Sequence, residues 1–230
     1  MPSKFQRARS EEQRAARRRA ILDAAADMLT EMPVAQVTLN ELSRRVGLAK
    51  SNVLRYFESR EDVLLELLAT ASGELVDHLE QTLPGALDAV PPTERPDRLA
   101  DRLARALAER PVLCDLISAQ SAVLERNVSP QVAAQYKRAA IAHASALAAL
   151  VAARLPALGE SDAFRFVAGS LIVTGAVWTH AHPSAAMIAA YEADPALAVL
   201  RLDFADTLRE TLEVLLSGLL ARAGGPGLGS

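Results

Sequence analysis

Apolar residues recur three or four positions apart along most of this chain, a spacing that predicts helices almost throughout. From Arg17 to Met32, Ile21, Ala25, Met28 and Leu29 make one apolar face, and Pro33 ends it. Thr38 followed by Glu41 has the spacing of a capping box, so a short helix is predicted there, with Leu42 and Val46 one turn apart on its inner side. Gly47 marks a reversal. A second short helix then carries Val53 and Phe57 inward and leaves Lys50, Ser51, Asn52, Arg55 and Tyr56 outward. This is a helix-turn-helix with a polar second helix, supported by Ile21 and Leu29 of the preceding helix.

Ser59 and Asp62 predict another helix cap, after which Val63, Leu64, Leu67, Leu68, Ala71, Leu75 and Leu79 continue a stripe to about Thr82, stopped by Pro84 and Gly85. That helix, about 35 Å long by its rise per residue, can serve as a lever. A loop is expected over residues 84–96, then helices over 97–109, 112–126, 129–155 and 161–180. Asp194 and Pro195 predict the start of a last helix, whose Leu200, Phe204, Leu208, Leu212, Leu215 and Leu219 keep a seam until Gly224. The reading is an all-α chain of about nine helices. Its parts are a disordered basic arm (1–16), a helix-turn-helix domain (17–60), a helical domain (61–223) entered by the connecting helix 61–82, and a flexible tail (224–230).

Charge sharpens the division. Residues 1–60 hold 12 Lys/Arg against 7 Asp/Glu, a net of +5, whereas residues 61–230 hold 13 against 21, a net of −8. The basic end is therefore the candidate for a polyanion. For Arg14, Arg17, Arg18 and Arg19 two readings stay open, a phosphate-touching arm or a solvated tail. Cys114, the one cysteine, excludes an intrachain disulfide framework; it is expected to be a small buried residue in a protein of the cytoplasm. The first residues lack the apolar core of a signal peptide, and the weakly polar run 166–179 is too short for a bilayer, so no membrane partner is expected. His78, His143, His180 and His182 are not spaced as a metal set, and no nucleophile motif, phosphate loop or paired apolar carboxylates mark an enzyme. No metal or cofactor is expected.

From Ala20 to Leu68, the runs ILDAA, T…EL…VGL, KSN…YF and SREDVL stand in the order and spacing of TetR-family repressors, and this stretch resembles their DNA-binding domain. The resemblance implies that Lys50, Ser51, Asn52 and Arg55 face bases or nearby backbone, with Asn40 also close to bases. It implies that Thr38, Tyr56 and Arg60 hold phosphates, while Arg44 and Arg45 add positive field. Two departures stand out. Ala49 replaces the Ser that often caps the recognition helix, and Leu54 replaces a Tyr, keeping contact with a thymine methyl but losing a hydrogen-bond donor.

The resemblance further implies a homodimer whose last two long helices pair with their copies. Phe166, Gly169, Leu200, Phe204, Leu208, Leu212, Leu215 and Leu219 are the candidate interface, against the alternative that the seam packs within its own subunit. For a small, mainly apolar effector, the candidate pocket residues are Leu113, Ile117, Tyr136, His143, Phe166, Val173, Val177 and Trp178, against the alternative of plain core. The expected function is a ligand-responsive regulator bound to a pseudo-palindromic double-stranded operator, with repression the expected sign. The rival is a DNA-binding dimer without a small ligand, whose C-terminal domain docks another protein.

Overall fold

The computed structural model describes residues 4–224, with side chains from residue 11 onward. Among these residues there are ten α-helices and no strand. In chain order they are α1 (Lys4–Glu31), α2 (Leu39–Arg45), α3 (Lys50–Val53), α4 (Arg60–Asp88), α5 (Arg95–Ala108), α6 (Pro111–Ala119), α7 (Pro130–Arg154), α8 (Gly159–Ala181), α9 (Ala185–Ala193) and α10 (Phe204–Gly224). None is long and apolar enough to cross a membrane by itself.

The described chain forms two compact units. Met1–Thr70 with Ala119–Lys137 make the head, and Ala71–Ser118 with Arg138–Ser230 make the body. The excursion 119–137 was expected in the second domain, yet it lies in the head, where Ser129 Oγ donates to Glu58 Oε1 at 2.9 Å. Helical periodicity reports which face of a segment is apolar and says nothing of which distant segment covers it.

In the head, Ile21, Ala25, Met28 and Leu29 of α1 are buried with Leu42, Val53 and Phe57, as the spacing predicts, while Val46 is half-buried. Within the span expected to be a disordered arm, α1 is helical from Lys4, and Gln13 to Ala20 contain no Pro or Gly to interrupt it ahead of the periodic segment. Residues 225–230 of the expected tail lie outside the described residues. A second correction concerns Pro84, inside α4 rather than at its end. A proline within a helix costs about 3 kcal/mol. Leu83 and Leu87 continue the buried stripe past it and offset that cost.

The body core is built on α10, which packs against both α5 and α8. Leu99, Leu103 and Leu107 of α5 are buried there with Leu208, Leu212, Leu216 and Leu219 of α10. Gly169 of α8 lies where an added Cβ would come 3.0 Å from Leu215, so the seam glycine serves a contact inside one chain. The predicted last helix also starts late. Pro195–Leu200 is a 3-10 turn, and α10 begins at Phe204, with the Asp206 amide donating to Asp203 Oδ1 at 2.9 Å.

Candidate nucleic-acid interface

Thr38 has extended backbone and its Oγ1 accepts the Glu41 amide at 3.2 Å, which starts α2 where the capping spacing placed it. The Glu41 carboxylate is occupied elsewhere: Arg44 Nε donates to it at 3.0 Å, and Arg45 approaches it while also pairing with Glu31 of α1. These contacts hold the carboxyls of Glu31 and Glu41 below their ordinary value, through the Arg45 and Arg44 hydrogen bonds respectively. Gly47 at φ +65° supplies the left-handed turn, a conformation costly for a side chain with Cβ.

The recognition helix α3 begins at Lys50, and its cap residue Ala49 offers no side-chain bond. Only Lys50–Val53 is α-helical. The chain then tightens, with the Arg55 amide on the Asn52 carbonyl at 3.3 Å and the Tyr56 amide on Val53 at 2.9 Å. Val53 and Phe57 still turn inward together. Lys50, Ser51, Asn52, Leu54 and Arg55 are exposed on the other side, as are Thr38, Asn40 and Arg44; Tyr56 and Arg45 are half-buried. Among the described residues Lys50 and Arg55 have no acidic partner. Arg14, Arg17, Arg55 and Tyr56 line an open, polar groove of about 810 Å³ beside this face.

Arg60, expected at a phosphate, is engaged within the head. Its Nη2 donates to the Val34 carbonyl and its Nη1 to Glu61 Oε1 at 3.1 Å, its side chain is only 19% exposed, and its Nε is buried without a partner. It braces the start of α4 against the chain before α2. Arg18, read from sequence only as part of a basic run, is also a brace. Its guanidinium donates to the Tyr56 carbonyl, pairs with Glu66 through both carboxylate oxygens (Nε to Oε1, 3.2 Å), and lies 4.1 Å from the Phe57 ring centroid. Its place three residues before Ile21, on the buried face of α1, was the available signal; Glu66 lies 48 residues away and gave none.

The body's candidate pocket residues are less convergent. Leu113, Ile117, Phe166 and Val177 are buried, while His143, Val173 and Trp178 are half-buried. Tyr136 belongs to the head unit, where burial pushes its hydroxyl pKa up. None of the eight lines the open groove of about 700 Å³ formed in the body by α7 and α8. Among the described residues His143 Nδ1 is buried without a hydrogen-bond partner, and its ring occupies the space a Cβ on Gly73 would enter, 3.2 Å from Nε2. Trp178 stacks on His182 with centroids 3.8 Å apart and meets Phe204 edge-on at 5.1 Å. Cys114 is buried, its pKa pushed up to about 12 by desolvation, and its Sγ donates to the Leu107 carbonyl at 3.3 Å.

Of the candidate interface, Phe166, Phe204, Leu208, Leu212 and Leu219 are already buried within one chain, and Gly169 and Leu215 face each other. Leu200 is exposed in the 3-10 turn before α10. The outward faces are different residues, Leu171 and Ile172 on α8 and Val214 on α10.

Residues 21–67 match the model of bacterial regulatory proteins of the tetR family, and residues 69–223 match a tetracyclin repressor-like C-terminal domain. The chain belongs to the TetR family. It is a transcriptional regulator of that family. A fatty acid metabolism regulator protein of Bacillus subtilis (strain 168) is 25% identical over 63 residues, 27% of this chain and 32% of the relative. Among solved structures, the fatty acid degradation regulator FadR from Bacillus halodurans superposes with TM-score 0.54 at 16% identity, covering 88% of this chain and 96% of that one. FadR from Bacillus subtilis, solved in complex with stearoyl-CoA, gives 0.53 at 15%, covering 86% and 97%. A possible TetR-family regulator from Streptomyces coelicolor A3(2) gives 0.58 at 20%, covering 89% and 98%. At these identities the solved structures show the shared all-α fold.

Proposed function

We propose that this TetR-family regulator is a cytoplasmic homodimeric repressor, released from a pseudo-palindromic operator by a small, mainly apolar ligand. The observation that carries the reading is the outward face of α3 and the turn after it: Lys50, Ser51, Asn52 and Arg55 are exposed, with Val53 and Phe57 buried on the other side. Side chains of these types at a helix N-terminal end suit base edges in a major groove, with Thr38, Arg44 and the basic groove at Arg14 and Arg17 suiting phosphates. In a two-fold dimer the two α3 helices would enter successive major grooves about 34 to 36 Å apart.

Control would run through α4, a continuous helix of 29 residues that begins in the head and ends in the body. A ligand that binds one spacing of the heads better than the other shifts the population towards it. The unpartnered Nδ1 of His143 is a polar group available to such a ligand, and Leu113, Ile117 and Val177, buried in the same unit, would take its apolar part. The FadR relative bound to stearoyl-CoA makes long acyl compounds the first class to try.

The test is footprinting of the chain on its own upstream region over a salt series, with and without acyl compounds. A two-lobed protected site whose affinity falls steeply with salt is expected. The DNA-binding reading fails if the intact dimer gives no footprint. If footprint and salt slope appear but a thermal-shift panel of acyl compounds and other apolar metabolites gives no stabilisation, the ligand part fails alone.

A further inference from the structure

The outward face of the recognition segment is held less by its own helix than by what packs on it. α3 has four residues, and a helix shorter than about 12 to 15 residues is marginal by itself. Its first end has no side-chain cap at Ala49. Burial of Val53 and Phe57 excludes water from one side, but the hydrophobic effect is non-directional and does not fix the pitch of the side chains opposite. A directional bond from outside the segment is required.

Arg18 of α1 supplies it. Of residues 11–20 it alone is not exposed. Its Nη1 donates to the Tyr56 carbonyl, its Nε and Nη2 donate to the two oxygens of Glu66 on α4 (Nε to Oε1, 3.2 Å), and its guanidinium lies 4.1 Å from the Phe57 ring centroid. One planar group thus clasps α1, the recognition segment and the start of α4. From Tyr56 the bonds run straight back to the exposed face. The Tyr56 amide donates to the Val53 carbonyl at 2.9 Å and the Arg55 amide to the Asn52 carbonyl at 3.3 Å, so the place of the Tyr56 peptide sets those of Asn52 and Arg55.

Arg18 is not placed to hold a phosphate itself. Both oxygens of Glu66 take its charge, the two side chains are 30% and 26% exposed, and an incoming phosphate would have to displace the carboxylate. Arg14 and Arg17, exposed on the same helix, are the arginines that line the groove beside Arg55 and Tyr56. The fork of Arg18 also matters. A lysine ammonium at this place is a point charge that lacks the planar fork and the stacking on Phe57.

We propose that Arg18 is a positioning residue for DNA reading: held by Glu66, it fixes the Tyr56 carbonyl and thereby the angle at which Lys50, Asn52 and Arg55 meet base edges. The inference rests on the DNA-binding reading given above, and adds to it a determinant of specificity that does not touch DNA.

The experiment uses the full chain and two duplexes of equal length, the upstream fragment footprinted by wild type and a scrambled sequence. Both are titrated over a salt series, at a temperature where circular dichroism shows each variant fully folded. Arg18→Lys keeps the charge and is expected to bind the fragment about tenfold more weakly, roughly the discrimination of one base contact, with scrambled-duplex affinity and salt slope as in wild type. Arg18→Met is expected to lose at least as much, and Glu66→Gln to lose less in the same pattern. If Arg18→Met does not fold, the other two variants decide. Wild-type affinity for the fragment in folded Arg18→Lys overturns the positioning role. So do equal losses on both duplexes with a slope lowered by about 0.9 per subunit, which would make Arg18 a phosphate contact. If wild type itself shows no preference for the fragment, the DNA-binding reading falls and this one with it.

Discussion

Arg60 is the position at which a resemblance to relatives and the packing of this chain give opposite forecasts. A phosphate contact at the head of α4 would make Arg60→Ala weaken DNA binding uniformly and flatten the salt dependence by about 0.9 in log–log slope per subunit. The structure assigns the guanidinium to the Val34 carbonyl and to Glu61, with the Arg60 side chain 19% and the Glu61 side chain 13% exposed. Hydrogen bonds to a charged group contribute about 1.5 to 3 kcal/mol each where shielded, and truncation leaves a half-buried Glu61 without its cation. Against that, removing the unpartnered Nε recovers part of its desolvation cost, on the order of 1 to 3 kcal/mol. A net loss of about 2 kcal/mol is expected. For a chain of this length that corresponds to roughly 4 to 8 °C in midpoint. The assay pairs thermal unfolding with operator titrations between low and moderate salt. A melting point unchanged from wild type, together with a slope reduced by about 0.9 or more per subunit, would refute the structural role.

Four further outcomes follow from the same contacts. Arg18→Met and Glu66→Gln should each destabilise the head, and their double-mutant cycle should give a coupling of about 0.5 to 3 kcal/mol; additive effects would mean the clasp carries no energy. Ala49→Ser should stabilise the chain by about 1 kcal/mol by capping α3, read from denaturant midpoints; a neutral or negative change would show the start of α3 has no capping deficit. Carboxyl NMR titration should place Glu31 and Glu41 below the ordinary 4.5, so their contribution to stability is complete above that pH and is lost as pH falls through the depressed folded values. Asp62 has the opposite sign, since burial raises its carboxyl above 3.8 and proton uptake then favours the folded state; titration of all three in the reverse order would contradict these environments. Lys50→Ala and Asn52→Ala should weaken operator binding more than non-specific binding, and equal losses on both DNAs would remove them from base reading.

The head was largely legible because its signals are local. Thr38 caps over three residues, Ser59 caps the Asp62 amide at 3.1 Å, Gly47 turns alone, and Ile21 to Leu29 repeat at helical spacing, so neighbours in sequence carry the information. The bare cap at Ala49 was legible for the same reason. Charge type was legible too, but its destination was not. Arg60 read as a phosphate contact and Arg18 as either a phosphate-touching or a solvated cation, and only the approach of Glu66, Tyr56 and Val34 from distant segments shows what they touch within the chain.

The body divides in the same way. Sequence periodicity determined that α8 and α10 are apolar on a seam; it could not say whether the seam meets α5 of the same chain or α10 of another. An apolar stripe specifies that water must be excluded, and the hydrophobic effect is non-directional, so the covering surface is chosen only when the whole chain packs. Tertiary structure placed Phe204, Leu208, Leu212 and Leu219 inside one chain and left Ile172, Val214 and the α9 excursion exposed. The helices and their polar face were written in residues three and four apart, whereas the surfaces that cover the apolar faces were decided by contacts tens of residues away.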